Sequence, residues 1–250
     1  MARTSSLVDA YGRPIVYDVL NKEVSAPTLG GVRNIMPSGP LGSLTPSRLA
    51  SLLSRAIHGD ADAYFDLAEE MEEKYLHYSG VIGTRKRAVS QLEITARAAS
   101  DNKQHQAHAD LIREWLNRDT LEAELFSILD SIGKGISYTE IIWDTTKPQW
   151  LPVQLKRRDP KWFEFDKVDG ETPLLKNEGG LPTVLDPYKY IVHNHEAKSG
   201  LPIRGGLARG VAWAYLFQNT SLKDWVIFAE IFGMPIRVGK YDSNASEADR

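Results

Sequence analysis

The residues from Leu207 to Phe232 place the strongest constraint on how this chain can fold. No proline interrupts them and Gly233 follows them, so we expect one helix that ends there and is roughly 39 Å long at about 1.5 Å per residue. Apolar side chains cover nearly its whole circumference. Such a helix must be buried on all sides or packed by neighbouring chains. The candidate residues for a core helix or a subunit interface are Trp213, Phe217, Trp225 and Phe228.

Polar residues divide this helix and argue against a membrane span. Arg209, Gln218 and Lys223 are its candidate polar positions, and they leave apolar stretches well short of the roughly 20 residues that cross a bilayer. The residues after Met1 also lack the apolar region of a secretory signal. We therefore predict no membrane partner.

The rest of the chain predicts an α+β fold in three parts. Residues 1–45 are rich in proline and glycine, which favours an extended arm that becomes ordered only against another surface. Residues 46–205 combine helical and strand patterns in one domain. Residues 206–250 contain the long helix and a C-terminal segment, in which a short strand is expected at Pro235–Gly239.

Helix signals dominate the first half of the middle domain. Thr45 followed by Pro46 predicts a helix start, Gly59 ends that helix, and Asp60 is expected to cap a second helix. Further helices are expected over Val81–Leu92, from Ser100 or Asp101 to Asn117, and over Thr120–Ile132. The alternation in Glu93–Ala98 predicts a strand between two of them. Period-two segments then predict strands at Ile136–Trp143, Pro152–Arg157, Trp162–Asp166 and Tyr188–Val192.

Composition limits the chemistry that is possible. The chain has no cysteine, which excludes a disulfide scaffold, a thiolate zinc site, an iron–sulfur cluster and a cysteine nucleophile. Its 30 basic and 33 acidic residues give a formal net charge of −3, so it does not coat nucleic acid through charge alone. The basic clusters Arg85–Arg87 and Lys156–Arg158 with Lys161 are interpreted as solvated surface, unless a ring of copies gathers them around an axis.

Motifs for catalysis are missing from the sequence. Gly133-Lys-Gly135 lacks the remainder of a phosphate-binding loop, and neither a Gly-x-Ser-x-Gly nor a His-Glu-x-x-His motif occurs. His193 and His195 project from the same face if they lie on a strand, and they are the residues on which a metal-dependent nuclease would rest. The stronger interpretation is a polar strand end. We predict no catalytic residue, no cofactor and no bound metal.

Several segments resemble the portal proteins of Mu-like phages and prophages. The most specific are Gly206-Leu-Ala-Arg-Gly210 and the ending Phe232-Gly-Met-Pro-Ile-Arg-Val-Gly239. The others are Tyr78–Val89, Tyr138–Trp143 and Arg158–Asp166. The resemblance extends from about residue 15 to the end of the chain.

The resemblance implies a structural protein of the virion without catalysis. Such proteins form a ring, usually of twelve subunits, at one vertex of the capsid, and double-stranded DNA passes through the central channel without sequence-specific contacts. It further implies docking of the terminase, nucleation of capsid assembly with scaffold and capsid proteins in the host cytoplasm, and later attachment of head-completion or tail proteins.

In the architecture of that family, residues 46–205 would form the wing, the long helix would belong to the stem, and Pro235 would begin the clip. Arg209, Gln218 and Lys223 would be the channel-facing candidates. Family members are about twice as long, and Ser246–Asp249 has the pattern of a helix start without a helix body, so we expect a chain truncated at its C-terminus. A capsid adaptor or scaffold that forms no channel stays open as an alternative, beside the nuclease.

Overall fold

A computed structural model describes residues 4–8, 12–35, 44–147, 149–233 and 246. The helices are α1 (Tyr17–Asn21), α2 (Pro46–Ile57), α3 (Asp62–Lys74), α4 (Leu76–Ser90), α5 (Lys103–Leu116), α6 (Leu121–Ile128), α7 (Ser131–Lys134) and α8 (Leu207–Phe232). The strands are β1 (Thr4–Val8), β2 (Pro14–Val16), β3 (Ile136–Asp144), β4 (Leu151–Arg158), β5 (Phe163–Phe165), β6 (Pro173–Leu175), β7 (Thr183–Val184) and β8 (Tyr190–Asn194). Short 3₁₀ turns occupy Pro160–Trp162 and Pro202–Gly205. The predicted α+β class is confirmed.

Helix α2 begins where the sequence predicts. The Thr45 side chain accepts a hydrogen bond from the Arg48 amide, and Pro46 occupies the first turn, where its missing N–H is not needed. The apolar residues of α2 recur at helical spacing and are buried: Leu49, Leu52, Leu53 and Ala56. They pack against α3 and against the first turns of α8, so these three helices form one layer of the core.

The strands form small antiparallel sheets. Strand β3 lies between β4 and β8, with Ile141 opposite Leu155 on one side and Tyr138 opposite Val192 on the other. A second sheet has the order β5, β6, β7, and β1 pairs with β2. The Tyr138 and Phe163 rings stack at 3.9 Å between centroids, which joins the two larger sheets under the helical layer.

The N-terminal residues pack against the same chain. Leu20 is buried, and Lys189 donates hydrogen bonds to the carbonyls of Leu20 and Lys22 at 2.8 and 2.7 Å. Residues 14–25 of the predicted arm therefore pack against the sheet of their own domain.

Several predicted boundaries are wrong, each for a local reason. Helix α4 starts at Leu76 instead of Val81. The sequence did not indicate this start, because only Tyr75, with φ −104° and ψ 84°, separates α4 from α3 and no glycine or proline marks the break. The expected helix Thr120–Ile132 is divided into α6 and α7. Helix α3 starts at Asp62, and Asp60 pairs with Arg55 instead of capping it.

The predicted strand Glu93–Ala98 is also wrong, since these residues belong to no strand and no sheet in the described part of the chain. The expected strand at Pro235–Gly239 and nearly all of the Ser246–Asp249 signal lie outside the described residues.

Candidate subunit interface

Helix α8 is attached to the domain at its N-terminal end. Gly206 precedes it, and a Cβ atom there would lie 2.5 Å from the Tyr64 hydroxyl and 2.6 Å from the Lys134 carbonyl carbon. Only glycine permits this approach. Beyond it, Arg209 donates a 2.8 Å hydrogen bond from Nη1 to the Leu53 carbonyl oxygen, which ties α8 to α2.

A buried ion cluster fixes the position of α7, the short helix against which α8 packs. Asp130 directly precedes α7. Its carboxylate lies 2.6 Å from Lys86 Nζ, 2.8 Å from Lys134 Nζ and 2.9 Å from an Arg157 Nη. Burial by itself would raise the pKa of Asp130, but the charges of Lys134, Arg157 and Lys86 outweigh it and hold that pKa well below its usual range. Helix α7, which packs against α8, is thereby fixed to α4 and β4.

A second buried cluster fastens the N-terminal segment to β3. Glu140 is fully buried and accepts hydrogen bonds from the Val24 amide at 2.6 Å, from Ser25 Oγ at 2.5 Å and from Arg158 Nε at 2.9 Å. Lys189 Nζ lies 3.4 Å away. Burial would raise the pKa of Glu140, yet the Ser25 and Val24 donors and the two cations lower it overall.

These clusters correct the interpretation as solvated surface for Lys86, Arg158 and Lys161, whereas Arg85 and Arg87 are exposed as predicted. Lys86 and Arg158 are both buried and paired with carboxylates inside the domain. Lys161 likewise contacts Asp66 at 2.7 Å. The charges of Lys86, Arg158 and Lys161 are paired within the chain.

The C-terminal part of α8 leaves the domain. In the docked half, residues 207–216, the side chains of Ala208, Ala212, Tyr215 and Leu216 are buried. In the projecting half, residues 217–232, every residue is exposed within the described part of the chain. At about 1.5 Å per residue this half extends roughly 24 Å from the body.

The projecting half carries a short polar side, which Val226 interrupts, and the surface on either flank of it is mostly apolar. Consecutive helical residues are rotated by about 100°, so Asn219, Lys223 and Glu230 lie within roughly 40° of one another. One flank of α8 carries Trp213, Phe217, Phe228 and Ile231, and the other carries Leu222, Trp225 and Phe232. Trp225 is 68% exposed and Phe228 is 58% exposed. Exposed apolar surface of this kind is typical of contact sites, which is consistent with the predicted interface role.

The four candidate aromatic residues are therefore outside the core of the described chain. Trp213 is 36% exposed, and Phe217, Trp225 and Phe228 are more exposed still. Two ring pairs form within α8, with Trp213 and Phe217 6.2 Å apart and Phe228 and Phe232 4.9 Å apart between ring centroids. Of the two roles predicted for them, core or interface, the interface stays a prediction.

The three polar candidates separate in the structure. Gln218 and Lys223 are exposed on the projecting half, whereas Arg209 is half-buried and bonded to Leu53. Asn219 and Glu230 share a side with Lys223. Helical spacing alone could have identified this polar side. Which part of the helix projects depends on how α8 docks on the domain, and the sequence does not show this.

The histidine pair is not arranged as a metal site. His193 Nδ1 is 2.7 Å from Ser131 Oγ and 3.2 Å from the Ile128 carbonyl oxygen, so this nitrogen is occupied by structural contacts. His195 lies one residue beyond the end of β8. Within the described ranges, no group of three or more metal-ligating side chains occurs.

No helix in the described part of the chain has both the length and the apolarity needed to cross a membrane. For α8, the polar residues between Gln218 and Asp224 account for this.

Comparison with known proteins identifies relatives along nearly the whole chain. The profile of a family described as "Portal protein of Mu bacteriophage" matches residues 65–250. The "Portal protein" of Escherichia phage Mu is 31% identical over 246 residues, which are 98% of this chain and 48% of that protein. The "Mu-like prophage FluMu protein gp29" of Haemophilus influenzae is 28% identical over 250 residues, with the same two coverages. The chain spans about half the length of the curated relatives it matches.

Proposed function

The chain belongs to the family of Mu bacteriophage portal proteins, and from this premise we propose that it is a subunit of a closed ring at one vertex of a phage capsid. The ring forms the channel through which double-stranded DNA is packaged and ejected. Its role is structural, without catalysis. The observation that carries the proposal is the projecting half of α8, whose apolar flanks are exposed in the single chain.

Ring geometry explains why the helix needs two apolar flanks. In a closed ring each subunit contacts a neighbour on either side, and the two contacts use different surfaces of the chain. The flank with Phe217 and Phe228 meets one neighbour, and the flank with Trp225 and Phe232 meets the other. Burying such surface releases about 25 cal/mol per Å² of apolar area.

The polar side of the projecting half then faces the solvent-filled channel. Lys223, Asn219 and Glu230 are its members. These side chains offer one cation, one amide and one carboxylate, a mixture that lets DNA slide without tight binding. Gln218 lies within roughly 20° of Trp225 around the helix, so it is a polar residue on that flank and is not on the side that carries Lys223.

The remaining partners follow from the family. Ring assembly takes place in the host cytoplasm with capsid and scaffold proteins, the terminase docks on the ring during packaging, and head-completion or tail proteins attach afterwards. The copy number is twelve, and residues 46–205 form the wing from which α8 enters the stem.

Native mass spectrometry and electron microscopy of the full-length reading frame test the proposal. Closed particles of about a dozen copies with a central hole are the expected result. A protein that stays monomeric or dimeric at high concentration overturns it, and a defined oligomer without a central hole would instead indicate an adaptor or scaffold.

A further inference from the structure

Helix α4 presents an exposed face that carries positive charge and no negative charge. The sequence of α4, from Leu76 to Ser90, contains no Asp or Glu, and it contains no Asn or Gln either. The buried side of the helix, which includes Lys86, packs against α3, α6 and α7. The opposite side, which includes Arg85 and Arg87, is exposed.

The two arginines differ from the lysine between them. Lys86 Nζ lies 2.6 Å from the Asp130 carboxylate and 3.5 Å from the Glu72 carboxylate, so its charge is neutralised inside the domain. Within the described part of the chain, neither Arg85 nor Arg87 forms an ion pair or a side-chain hydrogen bond. Their two positive charges therefore remain available on the exposed face of α4.

Two exposed lysines elsewhere show how this face differs from other charged surface. Lys167 follows Asp166, and Lys198 lies two positions after Glu196. Each lysine lines a groove in which acidic side chains outnumber lysines. A polyanion is repelled by such surroundings, whereas the exposed face of α4 has no carboxylate of its own.

Small residues lie between the two arginines. Consecutive helical residues are rotated by about 100°, so Gly80, Thr84 and Ala88 form one row on the exposed face. Arg87 lies roughly 20° beyond one edge of this row, and Arg85 lies roughly 60° beyond the other. The Thr84 hydroxyl is turned back onto the helix, where it donates a 2.8 Å hydrogen bond to the Gly80 carbonyl oxygen. A partner can therefore approach the α4 backbone closely, with one guanidinium group on each side of it.

The phosphate backbone of duplex DNA fits this face. Duplex DNA carries one negative charge per about 1.7 Å of helix axis, and arginine side chains are common donors to its phosphate oxygens. Asn and Gln, which read adenine through paired hydrogen bonds, are absent from α4. The face thus offers charge and close approach, which are the requirements of a contact that positions DNA without selecting a sequence.

We propose that the exposed face of α4 contacts the phosphate backbone of duplex DNA through Arg85 and Arg87. The proposal rests on the proposed ring, which brings DNA to the subunits and repeats the arginine pair in every copy. It adds a contact on the wing, residues 46–205, to the polar side of α8 that carries Lys223.

Fluorescence anisotropy of a labelled DNA duplex tests the contact, with the full-length protein both as assembled rings and as unassembled chains. The logarithm of the association constant should fall linearly with the logarithm of the salt concentration. Arg85→Gln combined with Arg87→Gln should weaken binding and reduce this slope by at least about 1.8, at about 0.9 per lost phosphate contact. The reduction should be equal for duplexes of two unrelated sequences, because phosphates carry no sequence information.

Lys167→Gln combined with Lys198→Gln removes the same charge from other exposed surface and is the matched control, which should bind DNA like the parent. Urea unfolding verifies that both double variants fold. The proposal is overturned if the arginine variant keeps the salt slope of the parent, if the control loses as much as the arginine variant, or if the parent binds no DNA. An arginine variant that binds DNA like the parent but no longer assembles shows that this face contacts protein instead. A chain that forms no ring overturns the proposed function, and the titration of unassembled chains then decides the DNA contact separately.

Discussion

Two glycines at the start of α8 provide a sharp test of how this helix is attached to the domain. Gly206 precedes the helix and Gly210 lies in its first turns, and both belong to the segment that most resembles the portal family. Neither has a positive φ, so any difference between them comes from the space around the Cβ position. We consider replacing each with alanine in the isolated chain.

The structure predicts opposite effects. At Gly206 the added Cβ would lie 2.5 to 2.7 Å from the Tyr64 hydroxyl, the Lys134 carbonyl carbon and the Gly133 carbonyl oxygen, well inside the usual contact distance of about 3.5–4.0 Å. Two of these atoms are backbone and cannot rotate away. The start of α8 must therefore shift, and overpacking of this kind costs about 1–3 kcal/mol of the free energy of unfolding.

At Gly210 nothing lies within 4 Å of the added Cβ. Alanine there removes the conformational freedom that glycine has in the unfolded chain, which stabilises a helix by roughly 0.5–1 kcal/mol. The two variants should then differ by about 1.5–4 kcal/mol, or roughly 3–16 °C in Tm for a chain of this size.

Urea unfolding followed by far-UV circular dichroism, at a concentration where the chain is unassembled, measures both free energies. Equal stability of Gly206→Ala and the parent would refute the close packing of α8 on α7. A loss of stability in Gly210→Ala would refute the open surface at that position.

Three other predictions concern the projecting half of α8 and the two ion clusters. Phe228→Ser removes an aromatic ring that is 58% exposed, and with about 200 Å² per phenylalanine the apolar area lost from a subunit contact is roughly 115 Å², or about 3 kcal/mol. Sedimentation velocity should therefore show assembly weakened by about 100-fold. The control Val168→Ser, at an exposed turn, should leave assembly unchanged. Glu140→Gln removes the carboxylate charge that Arg158 and Lys189 share, while Arg158 keeps Glu23 as a partner, and urea unfolding should show a loss of about 3 kcal/mol that the exposed control Glu171→Gln does not show. The pKa values of Asp130 and Glu140 are lowered in the folded chain, so the stabilisation that these carboxylates provide is present above their unfolded pKa of about 4 and is lost as the pH falls below it. The free energy of unfolding should therefore be smaller at pH 3 than at pH 7. An equal free energy of unfolding at the two pH values would contradict the ion clusters.

Local signals in the sequence were sufficient for several elements. Thr45 and Pro46 predicted the start of α2, and the bounds of α8 were predicted correctly from its apolar run and the following Gly233. The α+β class followed from the change of period near Ile136. These features depend on residues a few positions apart, which is the range over which caps, turns and periodicity act.

Strand pairing and the pairing of charges are contacts between distant residues, and the sequence did not reveal them. Residues 93–98 have the alternating pattern of a strand, but a strand exists only with a partner, and the described chain supplies none. Asp130 and Lys86 are 44 positions apart, and Glu140 and Ser25 are 115 apart, so the basic runs resembled solvated surface.

For α8, the sequence determined that a helix with apolar residues around nearly its whole circumference must be covered by other surfaces. Only the tertiary structure decided which part of the helix its own domain covers. Gly206 before the helix and the small residues Ala208 and Ala212 of the docked half permit close approach to α2, α3 and α7, which buries one side of the helix there. No described part of the chain reaches the projecting half, so its flanks stay exposed. The physical reason is that apolarity is a property of each side chain, whereas burial depends on which surfaces the whole fold brings within contact distance.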